Sequence, residues 1–224
     1  MVVTKTFVWA HLPKAAGDTV AKVFALFPEM IEFADSTRKQ VKHTPFCDRP
    51  ELVAGRERVL CIRRLPSWQL SYSTHKSRNG LYRTSYRPLP METPEEMSDS
   101  IAADRHLSLY VEAGLAWPDR WIRVEHLVDD VLSLLEEHVE VTPRKRKKIR
   151  AMKPKNAKGK HDRSLSSWFS DEMITHMYER NPLWRHAEEL AYSHTSESFG
   201  RPPVTTTGSP SLFDSTSGPS KEEP

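Results

Sequence analysis

Thr6-Phe7-Val8-Trp9-Ala10-His11-Leu12-Pro13-Lys14-Ala15-Ala16-Gly17-Asp18-Thr19-Val20 is an apolar run, then a short turn carrying one lysine, then the start of a helix. A strand so placed delivers Lys14 and a row of backbone amides to the positive end of a helix, an arrangement suited to a phosphate or sulfate. Val20, Val23, Phe24 and Phe27 recur at helical spacing and mark the buried face of that helix, which Pro28 helps to end. Anionic group transfer is the leading expectation.

The alternation continues outward. Met30 to Ala34 reads as a short second strand, and Val59-Leu60-Cys61-Ile62 as a buried parallel strand. Pro66 then opens a helix to about Lys76. Thr93-Pro94-Glu95-Glu96 is a capping box opening a helical region that reaches about Gly114. Trp121 to Val124 is a further strand, followed by a helical stripe of Val128, Val131, Leu132 and Leu135. Thr142-Pro143 begins a basic helix, Met152 to His161 reads as a loop, and Ser170-Asp171-Glu172 starts C-terminal helices that break at Asn181-Pro182. Strands separated by helices predict an α/β fold: three layers, a central parallel sheet flanked by helices, ligands at the carboxyl ends of the strands and a helical C-terminal part.

Composition narrows the class. The 224 residues suit one domain, here 1–199, with 200–224 expected to be a disordered tail because Pro, Thr, Ser and Gly replace apolar residues there. With 38% hydrophobic residues and a mean hydropathy of −0.61, the chain has no window near the roughly 20 apolar residues of a membrane span. It also begins without a signal-peptide pattern, so a cytoplasmic location is expected. Cys47 and Cys61 form neither a disulfide framework nor a zinc pattern, and no metal is expected. The net charge is only +3, yet Arg144 to Lys160 holds a dense basic block. Such a block reads either as a solvated helix face and loop or as a polyanion site.

In Pro13-Lys14-Ala15-Ala16-Gly17-Asp18-Thr19 the lysine precedes the glycine, so the GxxxxGK[ST] phosphate loop is absent. This order resembles the 5'-phosphosulfate loop of the P-loop-like sulfotransferases, which use 3'-phosphoadenosine 5'-phosphosulfate (PAPS) as donor. The resemblance implies a P-loop-NTPase-like fold in which the amides of Ala15, Ala16, Gly17, Asp18 and Thr19, with the Thr19 hydroxyl, hold the 5'-phosphate. Lys14 is implied to neutralise charge developing on the leaving phosphate oxygen. Arg63-Arg64-Leu65-Pro66-Ser67-Trp68-Gln69-Leu70-Ser71 is similar to the family's 3'-phosphate motif, an arginine at a strand end and a serine eight positions later. Arg63 and Ser71 satisfy that spacing; counting back from Pro66 instead selects Arg64 and leaves Tyr72 at the serine position.

Val41-Lys42-His43-Thr44-Pro45 is similar to the neighbourhood of the catalytic base in cytosolic members, which makes His43 the implied base, with Glu32 and Glu125 as rivals. Lys155-Asn156-Ala157-Lys158-Gly159-Lys160-His161 resembles the basic loop that closes over the 3'-phosphate and adenine, with Lys158, Gly159 and Lys160 as contacts. Trp9 and Trp168 are candidates to stack on adenine, although core packing is the commoner use of such residues. Two departures stand out: Ala15 replaces a hydroxyl residue, and Asp18 either caps the helix or repels the donor. The expected activity is PAPS-dependent sulfation of a hydroxyl acceptor, a saccharide or glycolipid by the form of the loop. A nucleotide-dependent phosphotransferase and a basic nucleic-acid-binding protein using residues 144–160 are the alternatives, and nucleic acid is not the favoured partner.

Overall fold

The computed structural model describes residues 1–35, 43–79, 90–111, 117–152 and 164–193. In chain order these form β1 (Val2–Thr4), β2 (Phe7–Ala10), α1 (Gly17–Phe24), β3 (Ile31–Ala34), α2 (Pro50–Val53), β4 (Glu57–Ile62), α3 (Leu65–Asn79), α4 (Pro94–Asp99), α5 (Ala102–Val111), β5 (Arg120–Arg123), α6 (Leu127–His138), α7 (Pro143–Arg150), α8 (Asp171–Arg180) and α9 (Pro182–Tyr192). The expected 200–224 tail lies outside the described residues. No helix among those described is long and apolar enough to cross a membrane.

The fold is α/β, with one five-stranded sheet of order β3-β1-β2-β4-β5 flanked by helices. The sheet is mixed, which corrects the expectation of a parallel one. β2, β4 and β5 pair in parallel, whereas β1 is antiparallel to both β2 and β3 and so is the one reversed strand of the five. Its cause is local. The Thr4 hydroxyl donates to the Phe7 carbonyl and accepts the Phe7 N–H, each at 2.9 Å, closing a tight return through Lys5 and Thr6. Val2 and Val3 are thereby buried against Trp9 and Val8. β2 and β4, in the middle of the sheet, are apolar throughout their upper halves, and Phe7, Val8, Ala10, Val59, Leu60, Cys61 and Ile62 are all fully buried.

Helix starts follow their capping signals. Thr93 Oγ1 accepts the Glu96 N–H at 3.2 Å while Glu96 accepts the Thr93 N–H at 2.8 Å, a reciprocal cap of about 1 kcal/mol. Thr142 and Ser170 cap α7 and α8 from one side only, their hydroxyls accepting the Lys145 and Met173 N–H. The single helical region expected after Thr93 is instead two helices. Ser100 takes extended backbone, and its hydroxyl accepts the Ala102 N–H at 3.2 Å, ending α4 and restarting the chain as α5. Asn181, fully buried at the α8–α9 break, donates to Ser100 and Met177 carbonyls and accepts the Asp104 N–H, locking this helical layer together.

Candidate active site

Parallel pairing of Ala10 with Leu60 and of Ile62 with Arg123 brings the carboxyl ends of β2, β4 and β5 to one edge of the sheet. The chain leaves β2 there through Leu12 and Ala15, both fully buried, with Lys14 and Ala16 between solvent and core. Lys14 and Ala16 both adopt left-handed backbone, φ 64° and 59°. That conformation costs a non-glycine residue of order 1 kcal/mol or more, and such strain concentrates at ligand-binding turns. Ala16 is the N-cap of α1 and supplies no side-chain acceptor; its carbonyl takes the Thr19 N–H at 2.8 Å and the Val20 N–H at 3.2 Å, so the start of α1 closes on its own backbone. Asp18 is therefore not the cap; it stands at the second helical position, where its charge complements the positive helix end.

Gly17 has a reason of its own. A Cβ there would fall 1.8 Å from the His11 ring, so the glycine exists to let that imidazole lie on the helix start. His11 is buried, stacked on Trp9 at 5.4 Å and tilted against His43 at 4.4 Å. His43 Nδ1 donates to the His11 carbonyl at 2.8 Å. Because a carbonyl can only accept, the proton of a neutral His43 is on Nδ1 and Nε2 is its basic nitrogen. The buried Tyr110 hydroxyl, from α5, bridges the His11 and His43 carbonyls at 3.0 Å each. Lys42 is outside the described residues, but His43 is thus brought beside the lysine turn.

From β4 the chain enters α3 through Arg63. Its Nε donates to Ser67 Oγ at 2.9 Å, and Ser71 lies one helical turn further on the same face. Arg63, Ser67 and Ser71 therefore form a donor ladder along the start of α3. Arg64 faces elsewhere. Its guanidinium meets Glu188 at 3.2 Å and covers the Tyr192 ring at 3.8 Å, while Tyr72 stacks on Trp68 at 4.9 Å. Arg64 and Tyr72 thus lie against packing partners, whereas Arg63 bonds Ser67, with Ser71 one turn further along α3.

Two tryptophans that sequence reasoning did not assign hold the turns together. Fully buried Trp68 donates through Nε1 to the Pro13 carbonyl at 2.8 Å, tying the lysine turn to α3. Trp184, equally buried, donates to the Arg63 carbonyl at 3.0 Å. Trp9 is itself core, donating to the Cys61 sulfur, and the half-buried Trp168 packs on the core edge. Burial pushes the Cys61 thiol up to about 12.

Glu188 of α9 completes the support. It accepts the Leu65 N–H at 2.6 Å and bonds Arg64 and Tyr178. Burial raises its pKa from 4.5 to about 7, against the opposing pull of Arg64, the Leu65 amide and Tyr178. The folded state therefore holds this proton more tightly than the unfolded chain. Its stabilising contribution is complete below pH 4.5 and disappears as pH rises through about 7. Denaturant midpoints of wild type minus Glu188→Gln should show this loss across that window, on the order of 3 kcal/mol. A pH-independent difference would contradict it.

The rival bases lie differently. Glu32 is at the amino-terminal end of the sheet, in an ion pair with Arg56 at 2.9 Å. Glu125 follows β5 and is engaged by the Arg64 amide and the Tyr192 hydroxyl. Lys158, Gly159 and Lys160 lie outside the described residues. The helix leading to them, α7, runs beside α6, with Lys145 pairing Glu29 at 2.8 Å and Arg150 near Asp129 at 3.6 Å. That order returns the chain toward the β5 carboxyl end. Comparisons with protein-family models, with curated proteins and with solved structures found no match to this chain.

Proposed function

We propose that this chain is a PAPS-dependent sulfotransferase, with a P-loop-like three-layer architecture despite the reversed β1, acting on an acceptor hydroxyl such as that of a saccharide or glycolipid. The observation that supports the reading is the meeting of the left-handed Lys14 turn at the start of α1 with the Arg63-Ser67-Ser71 row on α3, joined by the Trp68–Pro13 hydrogen bond.

Bound PAPS supplies the sulfuryl group and an adenosine bisphosphate leaving group. The first amides of α1 and Thr19 hold the 5'-phosphate, and Arg63 with Ser71 holds the 3'-phosphate. His43 Nε2 takes the acceptor proton as the acceptor oxygen bonds to sulfur. The sulfur–oxygen bond to the 5'-phosphate breaks, and its electron pair remains on that phosphate oxygen, where the Lys14 ammonium stabilises it. The products are a sulfate monoester and adenosine 3',5'-bisphosphate.

Isothermal titration with adenosine 3',5'-bisphosphate, beside ATP with Mg²⁺, tests the reading. Binding of the bisphosphate alone is expected. Arg63→Ala should weaken it about 10- to 100-fold, while leaving adenosine 5'-phosphosulfate, which lacks the 3'-phosphate, unaffected. Preference for ATP would overturn the assignment.

A further inference from the structure

A cleft of about 240 Å³ opens between α3, the segment before α4 and the start of α5; its walls include Tyr72, Lys76, Glu92, Ser100, Arg105 and His106. It adjoins the proposed transfer site through a continuous stack. His106 packs edge-on to Tyr72 at 5.2 Å and against Trp68 at 5.7 Å, and Trp68 in turn holds the Pro13 carbonyl beside Lys14. Across the same layer, Tyr110, one turn beyond His106 on α5, holds the backbone of His43.

The charges of the walls do not cancel. Lys76 is paired with Glu92. Asp104 is turned to α9, capping the Leu183 and Trp184 amides at 3.0 and 2.7 Å. The neighbouring Arg105 is exposed and makes no ion pair among the described residues. Burial, with the nearby His43, holds the His106 pKa down and keeps its ring a neutral hydrogen-bonding group. Glu92 also carries a buried second carboxylate oxygen that receives no hydrogen bond among the described residues. An uncompensated guanidinium, an acceptor without a donor and the half-buried face of Tyr72 together suit a ligand that carries both hydroxyl groups and a negative charge. A purely apolar phenol or sterol would leave the Arg105 charge and the Glu92 oxygen unanswered.

We infer that this cleft is the acceptor subsite and that it selects a hydroxylated acceptor bearing an anionic group, with Arg105 as the specificity-determining residue. The inference rests on the sulfotransferase reading for its role, but the subsite itself can be tested without turnover. Full-length protein is titrated with methyl glucuronide and with neutral methyl glucoside by ligand-observed NMR, in parallel with adenosine 3',5'-bisphosphate by calorimetry. The glucuronide should bind about tenfold more tightly than the glucoside. Arg105→Gln should erase that preference, Arg105→Lys should largely restore it, and neither variant should change bisphosphate affinity. Equal binding of the two glycosides, or an unchanged preference in Arg105→Gln, would overturn the subsite whatever the bisphosphate result. Glucuronide selectivity without bisphosphate binding would uphold an anionic polyol site and would count against sulfuryl transfer alone.

Discussion

Lys14→Ala is expected to lower kcat for sulfuryl transfer by about 10²- to 10³-fold, the usual loss when one donor aimed at developing charge is removed. The size follows from placement. Lys14 is half-buried, at the carboxyl edge of β2 and immediately before the start of α1, where its ammonium acts in a field already positive from the helix end. The variant should remain folded, because alanine leaves the buried Leu12 and Ala15 beside it untouched. Lys14→Gly sharpens the test. Glycine adopts φ 64° without strain, so this variant should melt higher than Lys14→Ala and be equally inactive. Melting curves and single-turnover rates together check it, and a wild-type rate in either variant would remove Lys14 from the mechanism.

Trp68→Ala should be the most destabilising single change, at about 3–5 kcal/mol. The side chain is fully buried between Tyr72, His106 and Trp184, with ring centroids 4.9 to 5.7 Å away, and its loss also strips the Pro13 carbonyl of its donor. Because a loss of that size leaves little folded protein to assay, Trp68→Phe separates packing from the hydrogen bond. It should cost about 1–2 kcal/mol and weaken adenosine bisphosphate binding by releasing the lysine turn from α3. Urea titration and calorimetry give the two numbers, and an unaltered affinity would show that the tether is structural only.

What the sequence revealed was local in its causes. β2 and β4 are legible as apolar runs because their burial is dictated by their own composition, β5 only through Trp121 and Ile122 between two arginines, and α4 because Thr93 and Glu96 bond each other across one turn. β1 was missed: three residues are too few to display a period, and Lys5-Thr6 carries none of the usual glycine or asparagine of a tight return. The break at Ser100 was missed because a serine hydroxyl can serve a helix interior or a new start, and packing by Asn181, far along the chain, favours the latter. At the site, the candidate residues were readable as motifs, but what positions them was not. His11 over Gly17, Tyr110 across two carbonyls, and Trp68, Trp184 and Glu188 against the two turns are contacts between distant segments, and no pattern in a single strand of text encodes them. Gly17 shows the difference most plainly, since the motif counts only its amide, whereas the fold also needs its missing side chain to seat a neighbouring imidazole.

The reversed β1 also matters for the order of events as the chain folds. Val2 pairs with Trp9 and Val3 with Val8, so this hairpin needs only a short excursion of chain to close, and such closures take about 1–10 μs. β3 has no strand to join until the hairpin exists, whereas β4 must travel some 50 residues of chain to reach β2. The first thirty-odd residues thus assemble as a seed with its own edge, and the half of the sheet that carries the candidate site is laid against it afterwards. Mutations that loosen the Thr4 return would then slow folding, whereas changes on β5 would chiefly quicken unfolding.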